Sequence, residues 1–278
     1  MSLLQLFSDL WYRFFNKPTS TPVTPAPPAK APRNDDTLER KILVMTGAFE
    51  NDVMPPKSFS GLTGNFDGEG LSFGVLQWCI KQESLQPLLK VMISQYASIV
   101  RGIFKEKTED LIKLSLMGPV DGVAWCSTIQ DAHFKVLQPW ASMFYNLGQT
   151  AEFQAIEIAD AHDEYEKAKE MCVVYQLWSE RALALMFDVC TQNGSIQAGE
   201  AQFIREDYEG IVQGMETNAL EVRRMEIIAN RVADGSRPAY REDVRGRKMC
   251  IVKGSGTVHE TPYVLDKQFG ISLKPYVS

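Results

Sequence analysis

Six of the chain's fourteen prolines fall within residues 17–36 (Pro18, Pro22, Pro25, Pro27, Pro28 and Pro32), among threonines, serines and alanines. Proline fixes φ and donates no backbone hydrogen bond, so this stretch can carry neither a helix nor a central strand. It reads as a semi-extended linker. A core must therefore form on one side of it, and only residues 37–278 are numerous enough. On the other side, residues 1–16 place Leu3, Leu4, Phe7, Leu10, Trp11 and Phe14 at helical spacing, with Ser8, Asp9, Tyr12 and Arg13 between them. This predicts an amphipathic helix that docks on a partner or a membrane surface, or packs on its own domain. It is not a cleavable signal, because it lacks a basic start, is interrupted by charge, and is followed by no small-residue cleavage site.

The domain at 37–278 has ordinary globular chemistry. Of the 278 residues, 45% are hydrophobic and 23% charged, and no apolar run reaches the roughly 18–20 residues of a membrane span. The net charge of −6 gives no whole-surface attraction to nucleic acid, and no such partner is expected. Cys79, Cys126, Cys172, Cys190 and Cys250 are odd in number and form no CxxC pair. They fit neither a structural zinc site nor a disulfide framework, and are expected as reduced core residues.

Asp36 and Glu39 form a capping-box-like pair before Leu38, Ile42, Met45 and Phe49, the buried face of a helix ending near Glu50. Residues 55–75 are rich in turn residues and read as a loop and short hairpin. Helical patterning resumes over 83–104, 107–117, 133–147, 150–171, 174–192, 198–213 and 216–233, with a short helix near 238–246. The tail from 249 alternates as strands do. The fold class is α+β and predominantly helical, with a small β element early in the chain.

That β element carries the candidate chemistry. Glu50 follows Ala48 and Phe49 at the negative end of a helix dipole, a setting that disfavours charge and suits a general acid. Asp67 follows 17 residues later within Gly61–Gly70, where glycines allow close approach to a sugar chain. Two carboxylates in unlike environments are what glycoside cleavage requires. Glu69 alternates with Asp67 and is an alternative second carboxylate.

The run Phe49-Glu50-Asn51, then Asp67-Gly68-Glu69-Gly70-Leu71-Ser72-Phe73-Gly74, resembles the signature of the family 46 chitosanases, members of the lysozyme superfamily. Ser72-Phe73-Gly74-Val75-Leu76-Gln77-Trp78 is also similar to a segment of soluble lytic transglycosylases and goose-type lysozymes. Leu185–Gly194 resembles a chitosanase helix end, with Asn193 in place of histidine. Arg223-Arg224 and Ser236-Arg237 fall where the family has arginines, but Pro238 follows where it has aspartate. The resemblance implies a two-lobed lysozyme-like domain with its cleft beside the hairpin, and metal-free, cofactor-free hydrolysis. It makes Glu50 the acid, Asp67 the base that activates water, and Ser72 a residue that positions that water. It further implies that Asp188, Arg223 and Arg237 form a buried ion network steadying Asp67, with Asn65, Gln77, Trp78 and Gln192 around the cleft.

The expected partner is a β-1,4-linked amino-sugar polymer. Peptidoglycan fits the transglycosylase-like segment and the appended helix; it implies a cell-wall lysin made in the cytoplasm and delivered by a phage or secretion route. Chitosan, a polycation, fits the family resemblance and an acidic protein. A catalytically inactive sugar-binding or structural module is the third reading. The remaining constellations read as structural. His133, His162 and His259 are too scattered for a metal site or triad, and Asp160-Ala161-His162-Asp163-Glu164 reads as a solvated acidic face.

Overall fold

The computed structural model describes residues 37–51 and 57–276; the helix expected at 1–16 and the linker at 17–36 lie outside them. Among the described residues the order is α1 (Leu38–Asn51), β1 (Leu62–Thr63), β2 (Ser72–Phe73), β3 (Trp78–Cys79), α2 (Leu85–Gln95), α3 (Ala97–Phe104), α4 (Thr108–Leu116) and α5 (Pro119–Ser127). There follow α6 (Trp140–Gly148), α7 (Ala151–Asp160), α8 (His162–Val174), α9 (Glu180–Asn193), α10 (Ala198–Glu209), α11 (Thr217–Gly235), α12 (Arg241–Lys253), β4 (Ser255–Val258), β5 (Thr261–Val264) and α13 (Leu265–Phe269). This is the predominantly helical α+β architecture with a small antiparallel sheet.

Two lobes meet at α1. In the first, the sheet β1-β2-β3 pairs Thr63 with Ser72 and Ser72 with Cys79, and α2 packs on α3, α4 and α7. In the second, α9 is the central rod. Every residue from Ala182 to Cys190 is buried, so the helix has no solvent face along that run. It is wrapped by α8, α11 and α12. Helix α1 touches α7 on one side and α9 and α13 on the other, so its C-terminal end emerges between the lobes.

The helix starts and stops follow local chemistry. Asp36 lies outside the described residues, and the α1 start shows Thr37 Oγ1 accepting the Arg40 N–H at 3.3 Å. Glu39 instead binds His162 Nδ1 at 2.8 Å, tying α1 to the start of α8. The span expected as one helix over 83–104 breaks at Tyr96, whose φ of −127° and ψ of 39° leave the helical region. The span 150–171 breaks at Ala161. Helix α5 lies between the expected helical spans 107–117 and 133–147; it starts at Pro119, and proline at the first helical position costs nothing. Helix α12 runs through Cys250–Lys253, where strand was expected, and stops at Gly254 in the left-handed region. The strand pattern beyond it is the β4–β5 hairpin, turned by His259 and Glu260 at positive φ.

All five cysteines are buried as free thiols. Burial pushes Cys126 and Cys250 up to about 11 and Cys190 up to about 12.

Candidate active site

The site begins with the last turn of α1. Ile42, Met45, Ala48 and Phe49 have no exposed surface, so this face of the helix is fixed in the core. The Phe49 ring meets the edge of Tyr263 with centroids 4.8 Å apart, and the Arg247 guanidinium lies 5.6 Å from its centre. The Tyr263 hydroxyl donates to the Ala48 carbonyl at 3.0 Å, satisfying one of the carbonyls a helix end leaves open. Glu50 is the next residue outward, with its side chain 35% exposed, and Arg247 Nη1 lies 2.6 Å from its Oε1.

Arg247 is the hub of a buried network. Its Nη2 and Nε reach Asp188 Oδ1 at 2.7 and 2.8 Å. Lys248 Nζ meets Asp188 Oδ2 at 3.0 Å and donates to Gln192 Oε1 at 2.8 Å. Burial opposes the Asp188 charge, but Arg247 and Lys248 overcome it and hold the carboxyl below its ordinary range. With Glu50 the network contains two carboxyl groups and two cationic side chains. Asp188 thus sits in a buried ion network, but the expected membership needs correction. Arg223 is exposed and pairs with Glu226 at 3.1 Å, one helical turn away. Arg237 is exposed just beyond α11. The network's contact is with Glu50, whereas the expected one was with Asp67.

Glu50 opens onto a cavity of about 540 Å³, lined also by Leu76, Trp78, Gln82, Asp160, Asp163, Glu164 and Gln192. Trp78 Nε1 donates to Asp160 Oδ2 at 2.7 Å. Burial, then repulsion between carboxylates, raises Asp160 and Glu164 above their ordinary range, although the Trp78 hydrogen bond opposes this at Asp160. The sequence 160–164 is therefore a cleft wall rather than merely a solvated face.

The other expected residues take varied places. Asp67 is exposed at the hairpin, outside the cavity lining, and its Oδ1 accepts the Glu69 N–H at 3.0 Å. Glu69 is held by Lys81 at 3.1 Å and Gln82 at 3.2 Å, which lower its pKa and link it to the cavity wall through Gln82. Asn65 organises the loop: its Oδ1 accepts from Gly70 N–H at 2.8 Å and its own N–H donates to Gln130 at 2.8 Å. Ser72 is buried in β2 and does not line the cavity. Gln77, expected beside the cleft, braces the turn instead. Its Nε2 donates to the Gly61 and Gly74 carbonyls at 3.1 and 2.9 Å. Of the expected set, the structure gathers Glu50, Trp78 and Gln192 around one cavity, with Asp188 directly behind.

Comparison with known proteins finds likeness in the fold. Native chitosanase from Bacillus subtilis MY002 is 14% identical, with a TM-score of 0.52 over 83% of this chain and 98% of that one. A mutant of that enzyme complexed with 6 GlcN is 13% identical, with a TM-score of 0.53 over 84% of this chain and 99% of that one. Chitosanase OU01, co-crystallised with substrate, is 15% identical, with a TM-score of 0.50 over 83% and 98% of the two chains. No protein-family model and no curated protein matches the sequence. The chain shares the chitosanase fold.

Arg247, Lys248 and Asp160 are the residues the sequence reading missed. Val244, Arg247, Lys248 and Ile251 recur at helical spacing and are all buried. Had the helix near 238–246 been extended through Met249-Cys250-Ile251-Val252, two cations would have stood on its apolar stripe. A charge there demands a buried partner. For Asp160 the signal is weaker, since periodicity identifies a helix face without saying what stands opposite.

Proposed function

We propose that this protein is a glycoside hydrolase that cleaves a β-1,4-linked amino-sugar polymer, with chitosan its preferred substrate and Glu50 its general acid. The observation that carries the proposal is Glu50 itself. It emerges from a rigid helix end between two lobes, is gripped through one oxygen by a buried arginine, and lines a cavity alongside an aromatic side chain. That placement in a chitosanase fold supports sugar-chain chemistry. In the proposed step Glu50 gives its proton to the glycosidic oxygen as the bond breaks. Water adds to the anomeric carbon, and Asp67 takes its proton. Asp67 stands on the accessible hairpin, where closure of the lobes on a polymer would bring it to the far side of the chain.

The chemistry of the walls favours chitosan over peptidoglycan. Glu50, Asp160, Asp163 and Glu164 line one cavity, and among the described residues no cationic side chain lines it. Such a surface attracts a glucosamine polymer bearing ammonium groups and repels the carboxylates of peptidoglycan. The neighbours described with 6 GlcN or with substrate support the same preference.

Purified full-length protein tests this. Release of reducing ends from chitosan, lost in Glu50→Gln, is the expected result. Clearing of sacculi without chitosan cleavage would move the substrate to peptidoglycan. Binding without cleavage of either polymer would make the domain a sugar-binding module.

A further inference from the structure

Helix α7 ends with two carboxyl groups one turn apart, Glu157 and Asp160, which share a helix face. Both reach the same short segment of the sheet lobe. Glu157 Oε1 accepts the Val75 N–H at 3.0 Å, and Asp160 Oδ2 accepts the Trp78 indole N–H at 2.7 Å. The segment between them, Gly74–Gln77, is the turn joining β2 to β3. Gly74 has φ of +88°, and a Cβ placed there would stand 2.0 Å from Glu157 Oε1 and 3.0 Å from the Trp78 ring. The turn therefore lies directly on the carboxyl group, with no space for any other residue. From the opposite side, Gln77 Nε2 ties the Gly61 and Gly74 carbonyls together. Two of the turn's neighbouring side chains, Leu76 and Trp78, line the cavity onto which Glu50 opens.

We infer that Glu157 and Asp160 are positioning residues: a two-carboxyl clamp on α7 that sets the Leu76–Trp78 wall of the cleft opposite Glu50. This rests on the reading of that cavity as the substrate cleft. Glu157 has no exposed surface, and its second oxygen, Oε2, has no hydrogen-bond partner among the described residues. Burying a polar group in that way is costly, and leucine would avoid that cost while leaving the buried Val75 N–H unsatisfied. What leucine lacks is an acceptor for the Val75 N–H. Burial raises Glu157 well above the ordinary carboxyl range, with Arg40 of α1 opposing and Asp160 adding to the shift. Glutamine, which keeps a carbonyl acceptor for the Val75 N–H and carries no charge, is the closest substitute for the group that holds the turn.

The clamp predicts a separation of effects. The Glu50–Arg247–Asp188 network lies on α1, α9 and α12 and does not pass through α7. Releasing the clamp should loosen substrate contact while leaving the acid in place. In the full chain, Asp160→Leu and Glu157→Leu are expected to raise KM for a glucosamine hexamer roughly ten-fold or more, with kcat within about three-fold of the parent. Glu157→Gln keeps the acceptor and should keep KM within about two-fold. Independently of activity, the Trp78 indole N–H resonance, identified by its absence in Trp78→Phe, should move in Asp160→Leu and hold its place in Glu157→Gln. Asp160 is at the accessible rim, so Asp160→Leu folds even where Glu157→Leu does not. An unmoved indole resonance with parental KM in Asp160→Leu overturns the clamp. So does a fall in kcat alone, or a Glu157→Gln as impaired as Glu157→Leu. If the parent protein cleaves no polymer, the proposed hydrolase fails, and the indole resonance still decides whether the clamp exists.

Discussion

Arg247 Nη1 lies 2.6 Å from Glu50 Oε1, and the same guanidinium holds Asp188 Oδ1 through Nη2 at 2.7 Å. One side chain, 1% exposed, thereby connects a carboxyl group at the cleft to one with no exposed surface. The planar fork suits this, because its nitrogens point in fixed and different directions. A lysine at the same position offers one ammonium in place of the fork and gives up the paired Nη2 and Nε contacts to Asp188 Oδ1.

Arg247→Leu should therefore be strongly destabilising, by about 3–5 kcal/mol, because it strands Asp188 with only Lys248 beside it. Arg247→Lys should recover part of the stability but not the activity, since it lacks the planar fork that fixes the Glu50 carboxyl against Asp188. Urea unfolding of the three proteins, read beside hydrolysis rates, checks this. Equal stability of the parent and the leucine variant would show that the network contributes nothing net.

Asp188 also fixes an acid limb of stability. Its folded-state pKa lies below the unfolded value because Arg247 and Lys248 outweigh burial. The contribution is present above the unfolded value, about 3.9, and is lost as pH falls through the folded one. The parent should lose stability progressively below about pH 4, and Asp188→Asn should show a shallower dependence in that range while being less stable at neutral pH. Denaturant midpoints between pH 2.5 and 7 are the measurement.

Glu157 has the opposite sign. Burial raises its folded-state pKa well above the ordinary value. Its stabilising effect is complete below the unfolded value of about 4.3 and is lost as pH rises through the folded one. Glu157→Gln removes that dependence, so it should gain on the parent steadily as pH is raised from about 4. A constant difference between the two across that interval would contradict the upward shift of Glu157.

At the cleft, Glu50→Gln preserves shape but has no proton to give, and should cost on the order of 10²–10⁴-fold in rate. Asp67→Asn should be comparably severe if Asp67 accepts the proton from water. Glu69 is already occupied by Lys81 and Gln82, and Glu69→Gln should cost much less. A silent Asp67→Asn together with a severe Glu69→Gln would exchange their roles. Silence at both would favour a single-acid mechanism, which an anhydro-sugar product end would identify.

The helices were legible where apolar spacing and a sharp boundary coincide, as in α1, whose run from Ile42 to Phe49 ends at Glu50. Breaks inside long periodic spans were not. Tyr96 and Ala161 are neither glycine nor proline, and the helices on either side of each pack on different elements, α2 on α7 but α3 on α6, and α7 on α2 and α6 but α8 on α9. At the site, Glu50 could be read because helix end, apolar neighbours and motif converge on it. Its ionic partner could not, because Arg247 comes from 197 positions away and only packing brings the two together. Gln77 shows the reverse failure: a polar residue beside a cleft motif suggests a ligand contact, yet its amide satisfies backbone carbonyls of its own turn.

The five enclosed thiols make the molecule a recorder of its own openings. With burial holding Cys126 and Cys250 near 11 and Cys190 near 12, almost none of the reactive thiolate exists at neutral pH while the surroundings are closed. Alkylation then proceeds only as fast as each neighbourhood transiently exposes its sulfur. Cys126 lies on α5 of the sheet lobe, Cys190 on the central rod α9, where it lines the Glu50 cavity, and Cys250 on α12 beside Gly256 of β4. Their separate labelling rates would show which half of the protein breathes first, and whether a sugar chain in the cleft slows one clock or all of them.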